Sequence, residues 1–265
     1  MAGNANRSGK TIMKTAPLFP LKTTISLFVL LLVMWLSGVN EPLFTFLNKT
    51  LQLLPQGFWQ FITTLADPWV VPLLTFVILF RQVNFVRALL ICSVIAVIAN
   101  YSLKHGFDIP RPNNVLPPKD FFLIGPDVQS PSFPSGHTIT IFAMMGVISF
   151  WNQVNLTSRL LFTLAAFIAL SRIAVGVHWP MDLVFGALIG WLVAWLAVSL
   201  NSRLESNMQP YVQMALYGIV LLGAIWAVIN KTPYPQAQWL STAISLFAIA
   251  YSLRSLTELM HRQKG

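Results

Sequence analysis

The sequence predicts an all-α, polytopic transmembrane helical bundle, and three observations carry that prediction. The chain is 55% hydrophobic and 9% charged, whereas a soluble domain is about 45–50% apolar and about 25% charged. Its apolar residues come in blocks of about 20, the length of a helix that crosses a bilayer. Its cations fall unequally at the two ends of those blocks, as the positive-inside rule requires of a membrane protein. A formal charge of +9 also raises nucleic acid as a partner. The cations are scattered singly, however, with no basic stripe interleaved with aromatics, which excludes that class.

Taken in order, residues 1–20 form a polar tail carrying Arg7, Lys10 and Lys14. The apolar run Leu21–Val39 follows. It is too long for a signal-peptide core and lacks an A-x-A-like cleavage site, so it reads as an uncleaved first helix. Residues 42–56 alternate apolar and polar side chains at helical spacing, which predicts a helix lying in the interface plane. Further spans are expected at 57–80, interrupted by Asp67-Pro68, and at 84–103, 136–151, 158–174, 182–200, 211–229 and 237–254. With the first helix they make eight, so both termini share a side. Placing that side in the cytoplasm leaves eleven cations inside and six outside, which sets the orientation. Cys92 is the only cysteine, so neither an intramolecular disulfide nor a cysteine metal cluster is available.

Three clusters of rare polar residues sit at the expected outer mouths of these helices. They are Lys104-x6-Arg111-Pro112, Pro134-Ser135-Gly136-His137 and Ser171-Arg172-x5-His178-x3-Asp182. Each has an ordinary explanation alone: a snorkelling lysine, a helix start, an i,i+4 surface pair. None explains why three cations, two histidines and a carboxylate gather on one face of a chain so poor in charge.

Together they describe phosphoryl transfer through a covalent intermediate, where catalysis is mostly positioning and electrostatic stabilisation. Lys104, Arg111 and Arg172 supply the anion clamp. Ser135 and Gly136, opening a helix, add a hydroxyl and backbone N–H groups at the positive end of its dipole. His178 suits the nucleophile, because Asp182 one turn later can hold its other ring nitrogen. His137 remains to protonate the leaving lipid oxygen and then to activate water. Three fixed cations make a metal unnecessary, and no metal-binding motif occurs; no cofactor is expected.

These three motifs, spanning residues 104–182, resemble the signature of the type 2 phosphatidic acid phosphatase (PAP2) superfamily in residue type, order and spacing. The resemblance implies a six-helix catalytic core, here residues 21–200 including the 42–56 helix, with residues 201–265 adding two further helices and a polar tail. It implies the same roles for His178, His137 and Asp182, with Lys104, Arg111, Ser135, Gly136 and Arg172 binding phosphate. It also implies an active site facing the periplasm or outer surface, while the uncleaved first helix and short loops point to a bacterial inner membrane. Its partners would be the bilayer and a lipid substrate: undecaprenyl diphosphate, phosphatidylglycerol phosphate, phosphatidic acid or the phosphate of lipid A. Transfer of phosphate to a second lipid is the alternative within that class. Vanadate-dependent haloperoxidases share the motifs but are generally soluble, and a non-enzymatic membrane protein would need no anion pocket.

Overall fold

The computed structural model of the protein describes residues 16–152, 155–205 and 207–264. Among them are eleven α-helices, one 3-10 turn and no strand. The tail cations Arg7, Lys10 and Lys14 lie outside the described residues.

Helix α1 (Leu21–Ser37) stops at Gly38, whose φ of +65° is one a glycine adopts without strain. The chain then turns through 103° into α2 (Asn40–Leu51). This crosswise helix was expected at 42–56; it ends earlier, in a turn ahead of Pro55. Its inner face buries Phe44 and Asn48. The Asn48 amide donates to the carbonyls of Phe122 and Ile173 and accepts from the Phe122 N–H. This crosswise helix is thereby tied to two segments that border the polar end of the bundle.

The expected span at 57–80 is not one helix. It divides into α3 (Gln56–Thr64) and α4 (Val70–Leu79). Pro68 lacks an N–H and disfavours helical backbone at Asp67. Asp67 then restarts the chain: its carboxylate accepts the Trp69 N–H at 2.8 Å and its carbonyl accepts from Val70 and Val71. The remaining helices follow the expected order: α5 (Val83–Phe107), the one-turn α6 (Pro112–Val115), α7 (Gly136–Asn152), α8 (Asn155–Ala174), α9 (Pro180–Ser202), α10 (Pro210–Ile229) and α11 (Gln238–Lys264). A 3-10 turn, Pro235–Ala237, leads into α11. Among the described residues five helices are long and apolar enough to cross a membrane alone, six if the bent α1–α2 pair counts as one. Eight were expected; α4 and α7 are apolar but short.

Helices α7 and α9 form the centre. Gly190 of α9 lies so close to α7 that a Cβ there would sit 2.4 Å from the Ile139 carbonyl oxygen, and one on Gly146 would sit 2.5 Å from the Ala194 methyl. The Gly186-x3-Gly190 pair thus serves packing within the chain. Outward faces stay apolar: Val97, Leu160 and Leu222 are each more than 60% exposed, as lipid-facing surfaces must be. Helix α5 runs antiparallel to α9. At one end Arg87 donates to the Asn201 side chain at 2.7 Å and the Glu205 carbonyl at 2.9 Å; at the other lie Lys104 and Asp182.

Candidate active site

The sequence of α8 ends in a turn that aims one imidazole. The Val175 N–H bonds back to Ser171, Gly176 to Ile173 and Val177 to Arg172. Gly176 holds φ +85°, and any side chain there would strike the Phe122 carbonyl oxygen, 2.3 Å from an ideal Cβ. The chain leaves this cap toward Trp179-Pro180, and the proline opens α9. His178 falls between the two helices and is 2% exposed.

Its surroundings fix its chemistry. Asp182, one turn into α9, receives the Trp179 N–H at 2.9 Å and lies 3.0 Å from His178 Nδ1. The Ser132 hydroxyl donates to the same carboxylate oxygen. On the other side of the ring, Arg111 Nη1, a donor only, lies 3.1 Å from Nε2. An acceptor at Nδ1 and a donor at Nε2 specify one tautomer: the proton is on Nδ1 and the lone pair on Nε2. Burial pushes the imidazole's proton affinity well below the usual 6.5, and Arg111, Arg172 and Lys104 push it further. The ring is therefore neutral at pH 7, with its Nε2 lone pair turned toward the Arg111 guanidinium.

Arg111 reaches this position because it is itself clamped. Its Nε donates to the Ser130 carbonyl at 2.7 Å and Nη1 to the Val177 carbonyl at 2.8 Å. Lys104, on the last turn of α5, donates to the Pro131 carbonyl. Arg172 lies at the C-terminal end of α8 and is 4% exposed. Its Nη1 donates to Thr63 Oγ1 at 2.5 Å and to the Tyr234 hydroxyl at 3.0 Å, while its buried Nε has no hydrogen-bond partner.

Ser135 and Gly136 start α7 under this cluster. Ser135 Oγ accepts the Thr138 N–H at 3.4 Å, which caps the helix, and the Thr138 hydroxyl at 2.9 Å, which leaves its own O–H to donate. Gly136 packs on α5, where a Cβ would come 2.9 Å from Asn100 Oδ1. His137 follows on the first turn. Its Nε2 lies 3.9 Å from an Asp67 carboxylate oxygen, beyond hydrogen-bond range but within electrostatic reach.

All eight residues expected from sequence thus meet at one end of the bundle. Four of their neighbours carry no motif signal: Ser132 on Asp182, Asp67 near His137, and Thr63 and Tyr234 on Arg172. Only the Asp67-Pro68 break marked any of them in the sequence. Among the described residues no group of three or more His, Cys, Asp or Glu is arranged to hold a metal ion.

A family model described as the PAP2 superfamily matches residues 85–205. Undecaprenyl-diphosphatase of Sulfolobus acidocaldarius is 28% identical over 160 residues, 58% of this chain and 74% of that one. Phosphatidylglycerophosphatase B of Escherichia coli strain K12 is 35% identical over 82 residues, 30% of this chain and 32% of that one. The crystal structure of Aquifex aeolicus LpxE superposes with a TM-score of 0.53 at 32% identity, covering 60% of this chain and 94% of LpxE. Motif spacing, site geometry and likeness across the core agree, and the chain belongs to the PAP2 superfamily of membrane lipid phosphatases.

Proposed function

We propose that the protein hydrolyses a lipid phosphate or diphosphate on the periplasmic side of a bacterial inner membrane, through a phosphohistidine on His178. The observation that carries this reading is the imidazole held between Asp182 at Nδ1 and Arg111 at Nε2. A phosphate drawn in by Lys104, Arg111 and Arg172 would meet the Nε2 lone pair. Nε2 bonds to phosphorus as the P–O bond to the lipid breaks, and His137 gives that oxygen its proton. Water then attacks phosphorus and loses a proton to His137, the P–N bond breaks, and inorganic phosphate leaves. Undecaprenyl diphosphate is the first substrate to test and phosphatidylglycerol phosphate the second, because proteins similar to this chain carry those activities in their names.

The test is phosphate release by detergent-purified protein from these two lipids, phosphatidic acid and lipid A, with His178→Ala alongside. We expect release from at least one lipid and a loss of about 10⁴-fold or more in the variant, as when a nucleophile is removed. Unchanged activity in His178→Ala defeats the mechanism, and a phosphorylated lipid in place of free phosphate would make the protein a phosphotransferase. Because three fixed cations neutralise the phosphate, excess EDTA should leave the rate within about twofold. Loss in EDTA with recovery on adding a divalent ion would show that a metal takes part.

A further inference from the structure

The geometry points to Tyr234 as a positioning residue for Arg172, brought to the phosphate pocket by the C-terminal helices. Tyr234 lies beyond residues 85–205 that match the family model. The inference rests on the phosphatase reading above, which makes Arg172 a phosphate ligand.

A buried guanidinium normally finds a carboxylate. Among the described residues no acidic side chain lies within ion-pair distance of Arg172. Its Nη1 is instead held by two neutral hydroxyls, Thr63 Oγ1 and Tyr234 OH. The difference matters for an anion site. A carboxylate would orient the arginine but also neutralise it and compete with phosphate, whereas a hydroxyl oxygen orients it and leaves the charge intact. The buried Nε–H without a partner fits this division of labour, one edge of the fork anchored and another left for ligand oxygens. The cation also lies 6.0 Å from the Tyr234 ring centroid, at the limit of useful attraction. The hydroxyl is therefore the part that acts.

Tyr234 is 4% exposed and is held on several sides. Its ring covers Gly125, where a Cβ would come 2.8 Å from a ring carbon. The next residues dock on α3: the Gln236 N–H donates to Gln60 Oε1 at 3.3 Å, and the Gln236 side chain fills the space beside Gly57. Upstream, the Thr232 N–H donates to Gln238 Oε1 at 2.9 Å. The α10–α11 connection is thus a fitted plug over the site's flank, with Tyr234 as its inward tip.

The experiment is Tyr234→Phe in the full chain, in detergent, with Tyr234→Ala as companion. Phosphate release gives kcat and KM, and orthovanadate serves as the phosphate-shaped probe, read both as an inhibitor and by the rise it causes in melting temperature. Losing a hydrogen bond to a charged group corresponds to about a tenfold effect or more. We expect Tyr234→Phe to raise KM and the orthovanadate inhibition constant about tenfold, to shrink the orthovanadate-induced rise in melting temperature measured from the variant's own ligand-free value, and to lower that ligand-free value less than Tyr234→Ala does. If Tyr234→Phe matches the parent in every readout, or lowers kcat and melting temperature with orthovanadate binding intact, Tyr234 is only packing and the inference is overturned. The orthovanadate shift needs no turnover, so a parent protein that binds orthovanadate but hydrolyses none of the lipids refutes the substrate assignment while still testing Tyr234. A parent that does neither refutes the anion pocket, and both readings with it.

Discussion

His178 is neutral for reasons that also make the folded protein less stable in acid. Above about pH 6.5 the imidazole carries no charge in either the folded or the unfolded chain, so it adds nothing to the pH dependence of stability. Below 6.5 the unfolded chain binds a proton that the folded site refuses, because burial and the cations Arg111, Arg172 and Lys104 hold the folded value down. Stability must then fall as pH drops. Melting temperatures in detergent from pH 7.5 to 5 should show this decline, and His178→Gln, which keeps a polar side chain but cannot titrate, should flatten part of it. An identical slope in the variant would mean that His178 is protonated in the folded protein and poorly suited to attack. At this scale the motif residues were legible because their chemistry is rare in an apolar chain and their spacings are short. Ser132, Thr63 and Tyr234 were not, because a hydroxyl has many ordinary uses. Their meaning comes only from the carboxylate or guanidinium that folding brings to them.

At the scale of elements, the site depends on how closely α7 approaches α9, since Ser135 caps α7, Gly136 and His137 open it, and α9 carries Asp182. Two glycines separate this close approach from ordinary helix propensity. Replacing Gly190 with alanine puts a Cβ 2.4 Å from the Ile139 carbonyl oxygen, whereas at Gly218 of α10 an added Cβ meets nothing within 4 Å. Backbone cannot swing aside as a side chain can, so Gly190→Ala should destabilise by about 1–3 kcal/mol despite alanine's better propensity. Gly218→Ala should be neutral or stabilising by up to about 1 kcal/mol. Melting temperatures of opposite sign would support this account, and a stabilising Gly190→Ala would refute it. Helix existence was readable from apolar block length, and most boundaries fell within a few residues. The 57–80 segment defied that reading because hydropathy averages over a break that Asp67 and Pro68 impose through individual backbone hydrogen bonds. The same break places Thr63 and Asp67 beside the proposed site, so the periodic rule failed where the chain borders it.

Across the whole molecule, the cations divide between the two ends of the bundle. Lys104, Arg111 and Arg172 cluster at one end about His178. Arg87 lies a helix length away, beside Asn201 and Glu205, and α11 runs from Gln238 near Tyr234 to Lys264. With its 27 residues, α11 reaches about 40 Å at 1.5 Å per residue, enough to place Arg262 at the far side of a bilayer from Tyr234. The site-side cations each meet a carbonyl or hydroxyl acceptor, while Arg254 and Arg262 are exposed toward the end of α11, where the positive-inside rule would put the cytoplasm. On the proposed orientation the active site faces the periplasm and the α11 terminus the cytoplasm. Cys92 is buried, so a Cys92→Ser background provides a chain free of reactive thiol. Into it, Lys119→Cys marks the exposed loop beside the site and Arg262→Cys the opposite end. In intact spheroplasts a membrane-impermeant maleimide should label the Lys119→Cys protein at once and the Arg262→Cys protein only after the membrane is opened. The reverse pattern would put the pocket in the cytoplasm, where the same chemistry would meet lipid intermediates before their export rather than carriers returning after use. Labelling of both in intact cells would mean that α11 does not cross the membrane. The α10–α11 connection would then need another explanation for how it brings Tyr234 to Arg172.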